Sequence, residues 1–411
     1  MDEMPIPDRD AQIASQTLIR QLHGAIKKQG GWIGFDRFMR SALYDPSSGY
    51  YTVGAGSARF GADGDFVTAP ELSPLFGGCI AAVCAYWMER VDPVITEFGA
   101  GTGQLAAQIL NSLHREGRLP ERYQIIDLSG SLRAQQKNTL DALAPGLGDR
   151  VQWLDEFPSD MTGVVLANEV LDAMPVRLFE LNDGHIFEKG LSSAENSDGF
   201  AWQSRRADRS FSQAVQQSLA RAGWGGSDPE NLDFGAWPHG YTSEIGQEAD
   251  AWVRSVGQRL RDGVLLALDY GFPAAEYFHP QRSRGTLACH YRHRVHHDPL
   301  VYPGLQDITT HVDFTAISEA ADSIGLDLVG YTSQANFLLN AGLLELLSKF
   351  PVEQTADYAR QSQAVQTLVS EAEMGELFKV IAFVRGDADA GPGFIRRDRS
   401  ASLLTGTDDC N

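Results

Sequence analysis

The chain has 411 residues, 54 acidic and 34 basic side chains for a formal net charge of -20, and 43% hydrophobic content. That is apolar material for one large domain or two to three average ones, and the acidic balance argues against a sequence-independent nucleic-acid or anionic-membrane binder. Cys79, Cys84, Cys289 and Cys410 are too few and too scattered for a disulfide framework or a CxxC zinc pair; with no signal or transit pattern and no apolar run near 20 residues, a soluble cytoplasmic protein without membrane insertion is expected.

In chain order, Ile13, Leu18, Leu22 and Ile26 recur at helical spacing and stop at Gly30-Gly31, the pattern of an amphipathic helix with a glycine end. Tyr44 to Ser73 is a long loop rich in glycine, proline and aspartate, of the kind that is usually functional. From Pro93 short apolar runs alternate with helical ones. Strands are predicted at Val94–Phe98, Tyr123–Asp127, Val151–Leu154, Val164–Ala167 and Val264–Leu268, and helices after Leu105 and over Ser131–Leu143. This rhythm gives right-handed crossovers and a mostly parallel sheet, so the class is α/β. Arg177 to Leu191 reads as a hairpin turning at Asn182-Asp183-Gly184, Phe211 to Ala222 as a helix, and Gly325–Tyr331 and Phe378–Arg385 as late strands.

The expected organisation is an N-terminal helical and loop region covering the site (1–92), a first core segment (93–175), an inserted substrate or partner lobe (176–260), a second core segment (261–386) and a flexible tail (387–411).

After the first strand come Gly99, Gly101 and Gly103. Glycines there permit a sharp turn and let backbone approach a ligand. A tight turn without ligand has the same pattern, so the neighbours decide. The dinucleotide fingerprint needs a third glycine where Gln104 stands, and Glu97 would repel a pyrophosphate. An acidic residue suits S-adenosylmethionine, which carries an amino group and a sulfonium. Asp127 at the end of the second strand is placed to hold ribose hydroxyls; its alternative, shared with Ser129 and Ser131, is a helix N-cap. Asp155, just past the third strand, is a candidate for the adenine amino group.

The chain resembles the MidA family of bacterial and mitochondrial methyltransferases, whose mitochondrial members assist assembly of respiratory complex I. The resemblance is carried by Gly49-Tyr50-Tyr51, Gly64 to Ser73, the Glu97 to Leu105 loop, Leu132-Arg133 through Gln136, and Ala167-Asn-Glu-Val-Leu-Asp-Ala-Met-Pro175. It continues through Leu268-Asp-Tyr-Gly271, His297 to Leu300, His311-Val-Asp-Phe314 and Met374 to Val380. Asp127 stands where the family has glutamate, and Leu287-Ala-Cys289 replaces a more basic stretch. The resemblance implies a Rossmann-like sheet of seven strands with an antiparallel last one, S-adenosylmethionine as cofactor, and protein arginine methylation, with a respiratory-complex subunit as a candidate partner.

Ligands of open α/β sheets sit beyond the carboxyl ends of the strands. Asn168, Glu169, Asp172 and Asp269-Tyr270 are therefore expected to converge on the methyl group. Glu169 and Asp172 are the candidate catalytic pair, holding an arginine that stays cationic; the alternative is a helix cap or a pairing with Arg177. Glu71 or Ser73 would reach the cofactor's amino acid moiety, or else simply start a helix. Six histidines cluster from His279 to His311, at spacings that match no metal motif. That loop is expected to cover the pocket, with His297, Asp307 and His311 in structural hydrogen bonds or substrate contacts. Two other readings stay open: a cofactor-binding assembly scaffold without turnover, and a small-molecule methyltransferase. A nicotinamide enzyme would require NAD to bind in place of S-adenosylmethionine.

Overall fold

Residues 4–52, 68–127, 130–195, 198–224, 239–350 and 355–404 are described by the structure, a computed structural model. Strand β1 (Ile33–Gly34) lies between two N-terminal helices, Arg9–Lys28 and Phe35–Tyr44. Next come β2 (Val94–Phe98), β3 (Arg122–Ile126), β4 (Val151–Leu154) and β5 (Met161–Asn168), with helices Gln104–Arg115 and Gly130–Leu143 between the first three. Strands β6 (Arg177–Asn182), β7 (His185–Ser193), β8 (Phe200–Arg206) and β9 (Tyr241–Ile245) lead to the long β10 (Leu260–Phe272). Short strands β11 (Ala288–Tyr291), β12 (Arg294–His296), β13 (Asp307–Thr309) and β14 (Val312–Asp313) precede β15 (Asp327–Ser333) and β16 (Phe378–Arg385).

The central sheet has the order β15-β16-β10-β5-β2-β3-β4, with β14 beside the end of β10. Strand β16 runs against both neighbours, and the pairs from β10 to β4 are parallel. Alternation along each strand feeds two cores. Leu266 and Leu268 join Ile95, Val164 and Val380 under the helices Pro74–Trp87 and Gln104–Arg115, whereas Leu265 and Ala267 join Val165 and Ile381 under Gln247–Arg259 and Phe314–Asp322. The chain runs outward from β2 to β4 and then returns to β5 on the other side of β2. That reversal opens a crevice at the carboxyl ends of β2 and β5.

Two of the expected segments are not separate bodies. The N-terminal helices bury Leu18, Leu22, Phe35 and Phe38 against Leu178 and Leu191 of the inserted hairpin and against Cys289 and Ile308 of the histidine-rich loop. Strand β1 also pairs with β7, completing a lobe sheet of β1-β7-β6-β9 with β8 on β7. Helix Gln247–Arg259, expected inside the lobe, belongs to the central core through Val253 and Val256. Ile13, read as part of the first helix's apolar face, is 52% exposed, since the buried stripe is Ser15, Leu18, Leu22 and Ile26.

The tail expected to fray is anchored over residues 387–404. Trp87 Nε1 donates to the Asp389 carbonyl at 2.9 Å, the Tyr331 amide donates to Asp398 at 2.9 Å, and Leu403 is buried. Phe394 packs edge-on against Phe337 at 5.4 Å and covers Gly330, where any Cβ would strike its ring at 2.3 Å. Turn-rich composition hid one well-placed aromatic. We expect Phe394→Ala to cost about 3–5 kcal/mol, measured by denaturant titration; a loss below about 1 kcal/mol would show that the tail does fray. Residues 53–67 of the long loop, Ser129 and Cys410 lie outside the described residues.

Candidate active site

The crevice is a cavity of about 560 Å³. It is walled by the glycine loop, the turn after β5, helix Phe35–Tyr44, Thr68 to Glu71 and β13, with Glu248 and Trp252 of helix Gln247–Arg259. Gly99, Gly101 and Gly103 all adopt left-handed φ, of 64°, 52° and 82°. Among the described residues a Cβ on Gly101 would meet nothing within 4 Å, whereas one on Gly103 would press on the Gln136 Cα at 2.9 Å. Gly101 therefore keeps space open on the cavity side, and Gly103 lets a helix close up behind the loop.

Gln136 is wholly buried and ties the first half of the site together. Its Nε2 donates to the Gly101 carbonyl at 3.1 Å and to Asp127 Oδ2 at 2.9 Å, and its Oε1 accepts from Trp153 Nε1 at 2.9 Å. Sequence reasoning gave it no role. Asp127 lines the cavity with that amide fixing its carboxylate. Glu97, also in the wall, is 2% exposed and accepts from Tyr123 Oη at 2.7 Å; burial raises its pKa to about 7 against the pull of that bond. Phe98 packs on Phe157 at 5.0 Å and on Trp252 at 5.1 Å, giving the same end an aromatic wall.

Asp155 does not belong to this set. It pairs with Arg133 Nη2 at 2.8 Å, its side chain is 84% exposed, and it is not among the described residues lining the cavity. Glu71 lines the cavity and also closes a capping box with Thr68, so the helix start holds and the carboxylate still stands at the cavity wall. Ser73 is a helix start: it accepts from the Leu75 amide at 3.1 Å and donates to Gln361 Oε1 at 2.6 Å.

At the other end, Asn168, Glu169, Asp172 and Asp307 share the wall with Tyr44, Tyr51 and Tyr270. The segment after β5 is a turn rather than the helix considered from sequence, and Glu169 takes a left-handed φ of 53°. Tyr51 Oη donates to Asp307 Oδ1 at 2.8 Å, and the Thr310 amide donates to the Asp172 carbonyl at 2.9 Å, fastening β13 to the turn. Burial, followed by the charge of Asp269, raises the Glu169 pKa to about 8. Burial and then Asp269, Asp307 and Glu169 push Asp172 well above the carboxylate range. Arg177 does not serve these acids; it makes a two-pronged pair with Glu188 at 2.8 and 2.6 Å.

Asp269, expected to face the methyl, instead turns back to hold the turn's backbone. Of the histidine-rich loop, His290 and Asp307 reach the cavity. His297 is exposed and bonds the Leu287 carbonyl through Nδ1 at 2.9 Å. His311 lies behind the cavity, stacked 6.1 Å from Tyr270, with its pKa lowered to about 4 by burial and then by Arg282 and Lys379. Neither histidine is a wall residue of the main cavity. No cluster of possible metal ligands occurs among the described residues.

These raised pKa values set a direction for stability. In the folded ligand-free protein Glu97, Glu169 and Asp269 hold protons to about pH 7, 8 and 7, whereas unfolded carboxyls release theirs near pH 4. The folded state therefore binds more protons between about pH 4 and 8, and stability falls as pH rises through that window. We expect the melting temperature without ligand to decline from pH 5.5 to 8.5; a flat or rising profile would show that these acids are ionised and compensated.

The residues fit S-adenosylmethionine. Space stands open over Gly101 for backbone contact, Asp127 offers a fixed carboxylate of the kind that takes two ribose hydroxyls, the aromatic wall suits a flat base, and Glu97 and Glu71 suit an amino group. Arg40, the arginine in the wall, is paired with Glu248, so the lining is strongly acidic and favours a cationic ligand.

Residues 79–332 match the Methyltransf_28 family model, described as an S-adenosyl-L-methionine-dependent methyltransferase. A COG1565 superfamily member from Burkholderia thailandensis, bound to S-adenosyl-homocysteine, is 46% identical with a TM-score of 0.90, covering 97% of this chain and 100% of that one. The mitochondrial protein arginine methyltransferase NDUFAF7 homolog of Drosophila melanogaster is 28% identical over 93% of this chain and 88% of its own length. Its Rattus norvegicus counterpart, protein arginine methyltransferase NDUFAF7, is 25% identical over 89% and 84%. The family match spans every strand that contributes to the cavity, and the chain belongs to this family: it is an S-adenosylmethionine-dependent methyltransferase of the MidA type.

Proposed function

We propose that the methyl acceptor is an arginine of a protein substrate. The observation that carries this is the group of acids beside the glycine loop, half-buried Glu169 with buried Asp172 and Asp307, whose carboxylates crowd one another in a cavity with Arg40 as its arginine. Desolvated like charges raise each other's pKa, and a guanidinium placed among them would relieve that repulsion and satisfy their oxygens with a planar fork of N–H donors. S-adenosylmethionine supplies an electrophilic methyl on a sulfonium when bound. The chain's part is alignment: Asp172 and Asp307 orient the guanidinium, Tyr51 steadies Asp307, and Glu169 or Asp172, each with a pKa raised toward neutrality or beyond, takes the proton released when nitrogen gains carbon.

The names of the fly and rat relatives support this acceptor, and the MidA resemblance suggests a respiratory-complex subunit as the protein that carries it. The test is to incubate the purified enzyme with methyl-labelled S-adenosylmethionine and a desalted cell lysate, then map label by mass spectrometry. Label on arginine side chains is the expected result. Cofactor binding with no protein label would favour the scaffold reading, and label on lysine or in a small-molecule fraction would replace the arginine assignment.

A further inference from the structure

We propose that Asp269 is the positioning residue of the acceptor site, a buried carboxylate that gathers the backbone of the turn after β5 and so presents Glu169 and Asp172 to the cavity. Asp269 is 1% exposed. Its Oδ2 accepts three amides in succession, from Val170 at 3.2 Å, Leu171 at 2.8 Å and Asp172 at 3.2 Å, and its Oδ1 accepts from Tyr270 at 2.9 Å. Three consecutive N–H groups converging on one oxygen form an anion-holding nest closed by the protein's own side chain. The nest bends the chain at the residue where Glu169 takes its left-handed φ, a conformation disfavoured for glutamate. The Glu169 amide, meanwhile, donates to the Leu268 carbonyl at 2.9 Å, so the turn is clamped to the end of β10 from both sides.

The same carboxyl, once ionised above about pH 7, biases the acids it positions. Asp269 stands second only to burial among the influences that raise Glu169 and Asp172. Glu169 also faces Asp307, Glu71 and the Asn168 amide; Asp172 faces Asp307 and Glu169; the Tyr44, Tyr51 and Tyr270 hydroxyls and Arg40 complete the surroundings. Asp269 thus has two separable effects, one on backbone order and one on the pH at which the site becomes anionic.

This rests on the reading of Glu169 and Asp172 as the acids at the methyl-bearing end. The test uses the full chain as parent, Asp269→Asn and Asp269→Ala. Calorimetric affinities for S-adenosylmethionine, a cation at sulfur, and S-adenosylhomocysteine, neutral at sulfur, are compared from pH 6 to 9. Amide exchange is followed at residues 169–173. In the parent the preference for the cationic ligand rises with pH as the acids ionise. In Asp269→Asn that rise moves about one unit lower, and exchange at Val170, Leu171 and Asp172 quickens at least about tenfold while β5 and β10 stay protected. An unmoved profile with unchanged exchange overturns the proposal. So does loosening spread through β5 and β10, which marks Asp269 as ordinary core structure. If Asp269→Ala does not fold, Asp269→Asn decides alone. A parent without any pH trend counts against the acid-site reading itself, and exchange at 169–173 still judges Asp269.

Discussion

Gly101→Val should reduce affinity for S-adenosylmethionine and S-adenosylhomocysteine by at least about 100-fold, some 2.7 kcal/mol, in a protein that still folds. The next glycine of the loop defines the contrast. At Gly103 a Cβ collides with the Gln136 backbone, so Gly103→Ala strains the protein whether or not ligand is present. At Gly101 the same atom meets none of the described residues within 4 Å, and the space it takes belongs to the cavity. The φ of 52° adds a backbone cost of about 1–2 kcal/mol for a side-chain-bearing residue, which lowers the melting temperature by a few degrees without threatening the fold. Calorimetric titration beside a thermal melt separates the two quantities. Retained affinity in the folded variant would remove the glycine loop from the cofactor site; lost affinity together with a collapsed melt would show that Gly101 is structural.

The features legible in the sequence are those with a short-range cause. Val94–Phe98, Val151–Leu154 and Phe378–Arg385 have the bounds their apolar runs predicted. Strands β5 and β10 run longer than read because Met161-Thr162-Gly163 and Leu260 to Gly263 add pairing without an apolar run. The hairpin followed from Asp183 and Gly184, both left-handed at its tip. The glycine loop, Asp127, Glu169 and Asp172 line the cavity because the carboxyl ends of parallel strands must face the crevice, and Asp307 comes to it from the histidine-rich loop. Nearness to a strand end does not fix where a side chain points, and Asp155, His297 and Asp269 show the limit. Asp155 finds Arg133 outside, His297 finds a carbonyl in its own loop, and Asp269 finds the amides behind it. Gln136 left a signal that was readable. It falls four residues after Leu132 and four before Leu140, a polar side chain on the buried stripe of its helix, and such a residue needs buried partners. Tyr51 and Trp252 reach the cavity from segments far away in sequence, and nothing local announces that meeting.

Asp172→Asn should cut turnover on an arginine-bearing protein by at least about 100-fold, leave affinity for S-adenosylhomocysteine, neutral at sulfur, within about threefold, and raise the melting temperature of the ligand-free protein. The three outcomes share one cause. Asp172 is 5% exposed and lies among Asp269, Asp307 and Glu169, so as an anion it is desolvated and repelled, a net cost to the folded state until a cation arrives. Asparagine keeps the shape, removes the repulsion and forfeits both the ionic hold on the guanidinium and the proton acceptor. A variant with lower turnover but unchanged melting temperature would place Asp172 in the wall without the electrostatic role. One that melts earlier would mean that the carboxylate is stabilised in the empty protein, and the case for a cationic acceptor at this end of the cavity would fall with it.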